Sequence, residues 1–344
     1  MTSKVKPAKK VVGVRDVARL AGCSVGTVSN VINRPDQVRP DSRARVEKAI
    51  EELQYVGSRV AGQLRSGRSL LVGVVVPDVG NPFWANVLRG IEEVLDEHRL
   101  VPVVTSSRLD AVRERSILRV LESQQVDGLL VAPVTASAKL MEPFRDRRLG
   151  VVTLDYEMSG GSFSSVSLDD IKGGELAALH LIESGHRRFA LVNSSGSWSG
   201  DRRAGVVRAL LAHNLKLDEC LREVTIQEET IVAGRAAAQT IAEMRARPTA
   251  IICGNDLLAL GVLLELQERH LRVPDDFALV GYDDVEFAAA LSPPLSSVRQ
   301  PPYEMGKAAA RLLVEHRRGR ARHIRFAPEL VARASSGTVF VRRR

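Results

Sequence analysis

The chain has 344 residues, 44% of them hydrophobic, which is enough apolar material for a large body with an appendage or for two or three domains. It contains no apolar run of roughly eighteen residues, and the lysines of MTSKVKPAKK have no apolar segment behind them. The sequence therefore predicts no transmembrane helix, no secretory signal and a cytoplasmic protein with no membrane partner. Three widely spaced cysteines, Cys23, Cys220 and Cys253, form no CxxC or Cys/His group, which argues against a disulfide frame or a zinc site and reads as three buried small hydrophobes.

The charge is unevenly placed. Residues 1–70 hold 14 lysines and arginines against 6 acidic residues, whereas the rest of the chain holds 35 of each. A basic segment joined to a neutral body is the footprint of a polyanion-binding module, because phosphate contacts supply most non-specific affinity for nucleic acid. Residues 1–12 read equally well as a solvated basic tail.

Apolar periodicity begins after that tail. In VRDVARLAG, Val14, Val17, Ala18 and Ala21 follow the i, i+3, i+4, i+7 spacing of a short amphipathic helix, which Gly22 ends. The next stretch, GCSVGTVSNVIN, is rich in β-prone residues. Strand alternation would nevertheless put Asn30 inside beside Val28 and Ile32, whereas Val28, Val31 and Ile32 recur at helical spacing behind Ser24, a good N-cap. Period overrides composition, and two short helices across a glycine turn make a helix-turn-helix. The outer face of the second helix carries Val25, Gly26, Ser29, Asn30 and Asn33, small residues that allow close approach to a major groove; Asn pairs with adenine and Val touches a thymine methyl. After the breaker run NRPDQVRPDS, RARVEKAIEELQY places Val46, Ala49, Ile50 and Leu53 on one face, enough to close a three-helix core.

SRVAGQLRSGRS follows. Val60, Ala61 and Leu64 share a helical face, but Gly57, Gly62, Gly67 and the serines make it a linker when free. Ordered on DNA, it would present Leu64 as an apolar wedge for a minor groove.

From Leu70 the chain alternates β-rich runs with helical patterns: LLVGVVVPD, VPVVTSS, GLLVAPV, GVVTLDY, RFALVNSS, LREVTI, TAIICGN and FALVGYDD. This is a βαβ series with buried parallel strands. The polar dip SGGSFSSVS suggests a division into two similar lobes. Polar residues gather at the strand ends, among them Asp78, Asn81, Ser106, Ser107, Asp155, Asn193, Ser194, Asn255 and Asp283, where open α/β sheets bind ligands. Asp256 and Asp284 read as caps or turn formers. No GxGxxG, GxxxxGK[ST] or HExxH spacing occurs, and GSWSG has Trp198 where a nucleophile elbow has serine, so a catalytic site, a cofactor and a metal are not expected.

The segments RDVARLAGCSVGTVSNVIN, RPDSRARVEKAIEELQY, SRVAGQLRSGRSLLVGVVVPDVGNPFW, AIICGNDLLALG and LVGYDDVEFAAALSPPLSSVRQP together resemble the LacI/GalR family of bacterial transcription regulators, over nearly the whole chain. The resemblance implies an α/β protein: an N-terminal all-α helix-turn-helix headpiece (residues 13–57), a hinge (58–69), and a two-lobed periplasmic-binding-protein-like body of parallel sheets (70–344). Its N-lobe would be 70–160 with 291–321, and its C-lobe 161–290 with 322–344. It also implies a homodimer on a palindromic double-stranded DNA operator. Val25, Gly26 and Asn30 would then read bases, Thr27, Ser29 and Asn33 would hold phosphates or the headpiece, and Ala61 and Leu64 would enter the minor groove. In the body, Phe83, Trp84 and Tyr156 would line a small ring, with Asp155, Arg202, Asn255 and Asp283 as its polar partners. Such a set suits a sugar effector; a purine or nucleoside is the alternative, and a carbohydrate-binding or sugar-processing protein is the reading from another class. The sequence departs from the family pattern at Gly57, where proline is usual, at Gly62, and at Asn30, where arginine or histidine is frequent. ASSGTVFVRRR has no heptads, so the tetramerising extension of some relatives is not expected.

Overall fold

The computed structural model describes residues 12–55, 69–135, 137–157, 163–194, 197–315 and 321–337. The chain divides into two compact units, Met1–Ser69 and Leu70–Arg344. Val60, Ala61, Leu64 and the hinge glycines lie outside the described residues, as do residues 1–11 and 338–344.

The small unit holds α1 (Val14–Leu20), α2 (Val25–Asn33) and α3 (Pro40–Glu52). Gly22 adopts φ +62°, and the turn it makes lets the Cys23 N–H reach the Ala18 carbonyl at 3.0 Å while the Gly22 N–H reaches that of Arg19. This closes the helix end in a left-handed cap that glycine favours. Ser24 then starts α2 by accepting the Thr27 N–H at 3.1 Å. Val17, Ala18, Ala21, Val28, Val31, Val46 and Ala49 form the miniature core, flanked by Ile50 and Leu53. Ile32 departs from the expectation: it is 44% exposed, because three short helices bury only a narrow stripe of α2. The breaker run is also shorter than its composition suggests. Pro35–Gln37 forms a 3-10 turn, and Pro40 sits at the first turn of α3, where its missing N–H costs nothing.

The large unit is a pair of similar six-stranded sheets. The first has the order β11-β5-β4-β3-β1-β2 and the second β12-β10-β9-β8-β6-β7. Here β1 is Leu71–Val76, β2 Val101–Ser106, β3 Gly128–Val131, β4 Gly150–Leu154, β5 Ser164–Leu168, β6 Phe189–Ser194, β7 Leu221–Ile226, β8 Ala250–Cys253, β9 Ala278–Asp283, β10 Ser296–Arg299, β11 His323–Phe326 and β12 Glu329–Val331. All pairings are parallel except β10 with β12. Leaving aside the late strands β11 and β12, each sheet runs in a doubly wound order whose switch point, β1/β3 or β6/β8, opens a crevice at the strand carboxyl ends. Cores of aliphatic residues cover both faces of both sheets.

The lobe boundaries differ from those read in the sequence. SSVSL belongs to the first sheet as β5 and SSVR to the second as β10, while β11 returns to the first. The chain therefore crosses near residues 169, 300 and 327 rather than 160, 290 and 322. The serines interrupt the apolar pattern of these strands, yet the hydroxyls of Ser164, Ser165, Ser296 and Ser297 are all bonded. The Ser165 Oγ meets His323 Nδ1 at 2.8 Å, the Ser296 Oγ meets the Ser336 Oγ at 2.6 Å, and the Ser297 Oγ donates to Asp256 Oδ1 at 2.7 Å. A hydroxyl with a partner is compatible with a sheet interior.

Three helix pairs cross backbone to backbone through reciprocal glycines. Gly90 of α4 (Pro82–Glu97) faces the Tyr303 carbonyl while Gly306 of the helix Pro302–Val314 faces that of Val87; Gly174 and Gly205, and Gly234 and Gly261, repeat the arrangement in the second lobe. A Cβ at any of these six positions would overlap a carbonyl oxygen. The Gly306→Ala chain should therefore lose about 1–3 kcal/mol in thermal unfolding. Gly200, also helical but with open space where its Cβ would lie, should gain about 0.5–1 kcal/mol on the same substitution.

Candidate functional site

On the small unit, α2 turns one face away from the core. Val25 is 43% exposed, Gly26 and Asn30 are exposed, and Ser29 is half-buried. Thr27 has a different part. Its backbone N–H and its hydroxyl both meet the Ser24 Oγ, so it builds the helix start. Asn33 is the last residue of the helix, and its side chain lies outside the described residues. The exposed face combines two acceptor-donor or small positions with one apolar one, as a helix lying in a groove requires.

In the large unit, a cavity of about 230 Å³ lies at the strand carboxyl ends between the lobes. Pro77, Asp78, Asn81, Trp84, Arg108 and Leu109 line it from the first lobe, and Glu228, Glu229 and Thr230 from the second. Local structure sets these positions. Asn81 caps α4 by accepting the Phe83 N–H at 2.9 Å, which places Trp84 in the first turn, and Thr230 caps the helix Ile231–Ala242. Arg108 and Leu109 are consecutive non-glycine residues at φ +53° and +57°. Such backbone is costly and accumulates at working sites. Glu229 is fixed by the Ser194 hydroxyl and by Asn255 Nδ2 at 3.1 Å.

Beneath the cavity lies a buried charge network. Arg202 donates Nε to Asp170 Oδ1 at 2.7 Å and Nη1 to the Gly254 carbonyl at 2.6 Å, and its guanidinium lies 3.8 Å from the centroid of the Tyr282 ring. The Tyr282 hydroxyl donates to the same Asp170 oxygen at 2.9 Å. Asp155, at the end of β4, stands 3.9 Å from Arg202 Nη2 through Oδ2, and its Oδ1 has no partner. Asp283, at the end of β9, accepts Gln300 Nε2 at 2.7 Å and, more weakly, Asn81 Nδ2 at 3.5 Å. Both aspartates adopt left-handed backbone, φ +54° and +99°. Burial pushes the Asp155 carboxyl up to about 8, with Asp170, Asp283 and Glu229 adding to the rise and Arg202 opposing it. Burial also raises Asp283 well above the usual carboxylate range, against the pull of Arg202.

The seven expected ring and polar residues are therefore distributed over three places. Trp84 lines the cavity; Asp155, Arg202 and Asp283 form the buried network; Asn255 joins the two by holding Glu229 and by capping the helix Asp256–Glu268 through the Leu258 N–H at 2.9 Å. Phe83 and Tyr156 go elsewhere. Phe83 is 3% exposed in the core of the first lobe with its ring edge-on to Trp84, and Tyr156 packs on the core at the other face of that sheet. Asp256 is a buried acceptor for Ser297 and the Val285 N–H rather than the cap, and Asp284 pairs with Arg299 and Arg333. Asp170, Tyr282, Gln300, Arg108 and the Glu228-Glu229 pair were not singled out. Asp170 and Gln300 follow the serine strands and were hidden with them, whereas EET ahead of the helix Ile231–Ala242 is a readable strand-end signal. Among the described residues, no group of three or more His, Cys, Asp or Glu could hold a metal ion, and no helix is long and apolar enough to cross a membrane.

Comparison with known proteins adds three findings. The family described as bacterial regulatory proteins, lacI family, matches residues 14–58, and the periplasmic binding protein-like domain matches residues 178–336. The HTH-type transcriptional repressor PurR of Vibrio atlanticus (strain LGP32) is 32% identical over 338 residues, covering 95% of this chain and 99% of that protein. Among solved structures, the lac repressor dimer bound to operator and the anti-inducer ONPF superposes with a TM-score of 0.78 at 26% identity, covering 96% of this chain and 100% of the other. The transcriptional regulator CelR in its cellobiose complex gives 0.68 at 30%, covering 94% and 99%.

The raised Asp155 carboxyl has a consequence for stability. Folded Asp155 keeps its proton between the ordinary value of 3.8 and about 8, a window in which the unfolded chain has released it, so stability falls as pH rises through that window. Asp155→Asn removes the dependence. Relative to the unsubstituted chain, this variant should gain about 1–3 kcal/mol between pH 5 and pH 8, read from thermal unfolding across pH; a difference that does not change with pH contradicts the assignment.

Proposed function

This chain belongs to the lacI family of bacterial regulatory proteins and is a DNA-binding transcriptional regulator, and on that premise we propose that it acts as a repressor whose operator affinity is set by a small polar effector bound between the lobes of its large unit. The observation that carries the DNA-reading half is the face of α2: Val28 and Val31 are committed to the core while Val25, Gly26 and Asn30 are left uncovered. Asn30 is the base-reading amide, Val25 the apolar contact, and Gly26 the point of closest approach; Ser29 and Asn33 serve phosphates or the headpiece. A homodimer reads a palindromic operator, each headpiece taking one half-site. Ala61 and Leu64 enter the minor groove between the half-sites.

The effector is a sugar. One aromatic plate, Trp84, borders the cavity among carboxylates, one amide, one hydroxyl and one arginine, which suits a ring with an apolar face and hydroxyl edges; the similar CelR was solved with cellobiose. A purine or nucleoside is the second reading, favoured by the paired amide and carboxylate of Asn255 and Glu229, which match ring N–H edges. Effector binding changes the relation of the lobes and hence the free energy of ordering the hinge on DNA.

Selection from random duplexes tests the DNA half. The selected site should be a palindrome, and Asn30→Ala should lose about 1–3 kcal/mol of discrimination at one position of each half-site, while charge-removing variants in residues 1–12 lower affinity evenly. An asymmetric site, or unchanged preference in Asn30→Ala, contradicts the proposal. Leu64→Ala should weaken binding to the selected site more than to random duplex; equal losses remove the wedge. Coupling is reciprocal, so effector titrations with and without operator should differ by the same factor as operator titrations with and without effector.

A further inference from the structure

The large unit begins at Leu70, and the backbone there is held from both sides. Leu70 adopts φ +58°, the left-handed region that bulky side chains seldom enter. Its own side chain is 44% exposed, so packing contributes little to the choice. Two hydrogen bonds contribute more: the Leu70 N–H donates to Asp127 Oδ2 at 3.2 Å, and its carbonyl accepts the Val101 N–H at 2.8 Å. Backbone of this kind persists where its surroundings over-determine it.

Asp127 is itself fixed. Its side chain is buried, its N–H donates to the Leu71 carbonyl at 2.8 Å, its carbonyl accepts the Leu149 N–H at 2.9 Å, and Arg148 Nη1 lies 3.5 Å from Oδ2. A carboxylate on a backbone N–H is charge-assisted and roughly twice as strong as a neutral bond. Asp127 stands just ahead of β3, at the amino-terminal end of the sheet, whereas the cavity lies at the strand carboxyl ends, about 20 Å away along the six residues of β1. A substitution here therefore acts on the entry of the chain into the large unit, at the far end of the sheet from the cavity.

We propose that Asp127 is a positioning residue for operator recognition: by clamping the Leu70 N–H it sets the direction in which the chain leaves the large unit toward the headpiece, and with it the half-site spacing that a dimer accepts. This rests on the reading above of a homodimer on a palindromic operator and adds the residue that fixes the spacing. In such a dimer the second headpiece binds its half-site intramolecularly, at an effective concentration set by the geometry and stiffness of its tether. A tether rooted in one direction concentrates the headpiece at one spacing. A tether that swivels at its root spreads it over many and favours none.

Binding of the full chain to three duplexes tests this: the palindrome obtained by selection, the same duplex with one base pair inserted between its half-sites, and a duplex carrying a single half-site. The unsubstituted chain should hold the palindrome at least about 100-fold more tightly than either of the others. Asp127→Ala should weaken the palindrome by on the order of tenfold, leave the half-site unchanged and narrow the penalty for the inserted base pair to match. Asp127→Asn, whose amide oxygen still accepts the Leu70 N–H, should stay within about threefold of the unsubstituted chain on all three. Leu70→Pro breaks the same bond from the donor side, at an exposed position with the carboxylate in place, and should repeat the Asp127→Ala pattern. Equal losses on palindrome and half-site, or a Leu70→Pro chain that binds as the unsubstituted one does, overturn the inference and leave the dimeric regulator standing. A half-site held as tightly as the palindrome by the unsubstituted chain overturns both.

Discussion

A guanidinium that is 5% exposed sits inside the large unit, and the arrangement around Arg202 follows from the need to neutralise it. A buried charge left without partners costs several kcal/mol, more than most single contacts contribute. Three kinds of partner meet the requirement: the Asp170 carboxylate, the Gly254 carbonyl and the face of Tyr282. Each comes from the second lobe. Asp155 comes from the first, at a distance too long for a hydrogen bond, so the lobe that would complete the neutralisation stops just short of doing so. The result is a network satisfied on one side and open on the other, and the open side is where a ligand acts with most leverage.

Tyr282 shows how far this constraint reaches into the fold. Its ring is 2% exposed and its hydroxyl needs an acceptor, which Asp170 supplies. A side chain at Gly173 would overlap that hydroxyl, so the glycine of the adjacent helix turn makes room for it. One buried cation thus fixes a carboxylate, an aromatic ring, a glycine and the register between two helices and a strand.

Much of the architecture was legible because burial leaves a period. GCSVGTVSNVIN reads as a helix despite its β-prone composition, since only helical spacing keeps Asn30 out of the core, and eight strands stand out as β-rich runs bounded by polar ends. The serine strands were not legible. Their interior positions are filled by hydroxyls whose partners, His323, Ser336 and Asp256, are far away in sequence, and pattern reading sees only polar residues. The same blindness to distant partners moved the lobe crossings by several residues. Within the site, residue type indicated chemistry but not address: both Phe83 and Trp84 pack in the core cluster, yet Trp84 alone of the two also lines the cavity, a distinction set by the roughly 100° between successive helix residues. Ile32 erred in the opposite sense, because periodicity marks a stripe without stating its width.

The corrected crossings have a mechanical meaning. Leu168 lies beside Phe326 in one sheet and Arg299 beside Glu329 in the other, so the three covalent links between the lobes run side by side. Three neighbouring tethers of nearly equal length leave a pair of slabs one easy degree of freedom, folding about the line that joins them, and resist sliding or twisting. Folding about that line would change the gap between Trp84 and Glu229, which line the cavity from the two lobes.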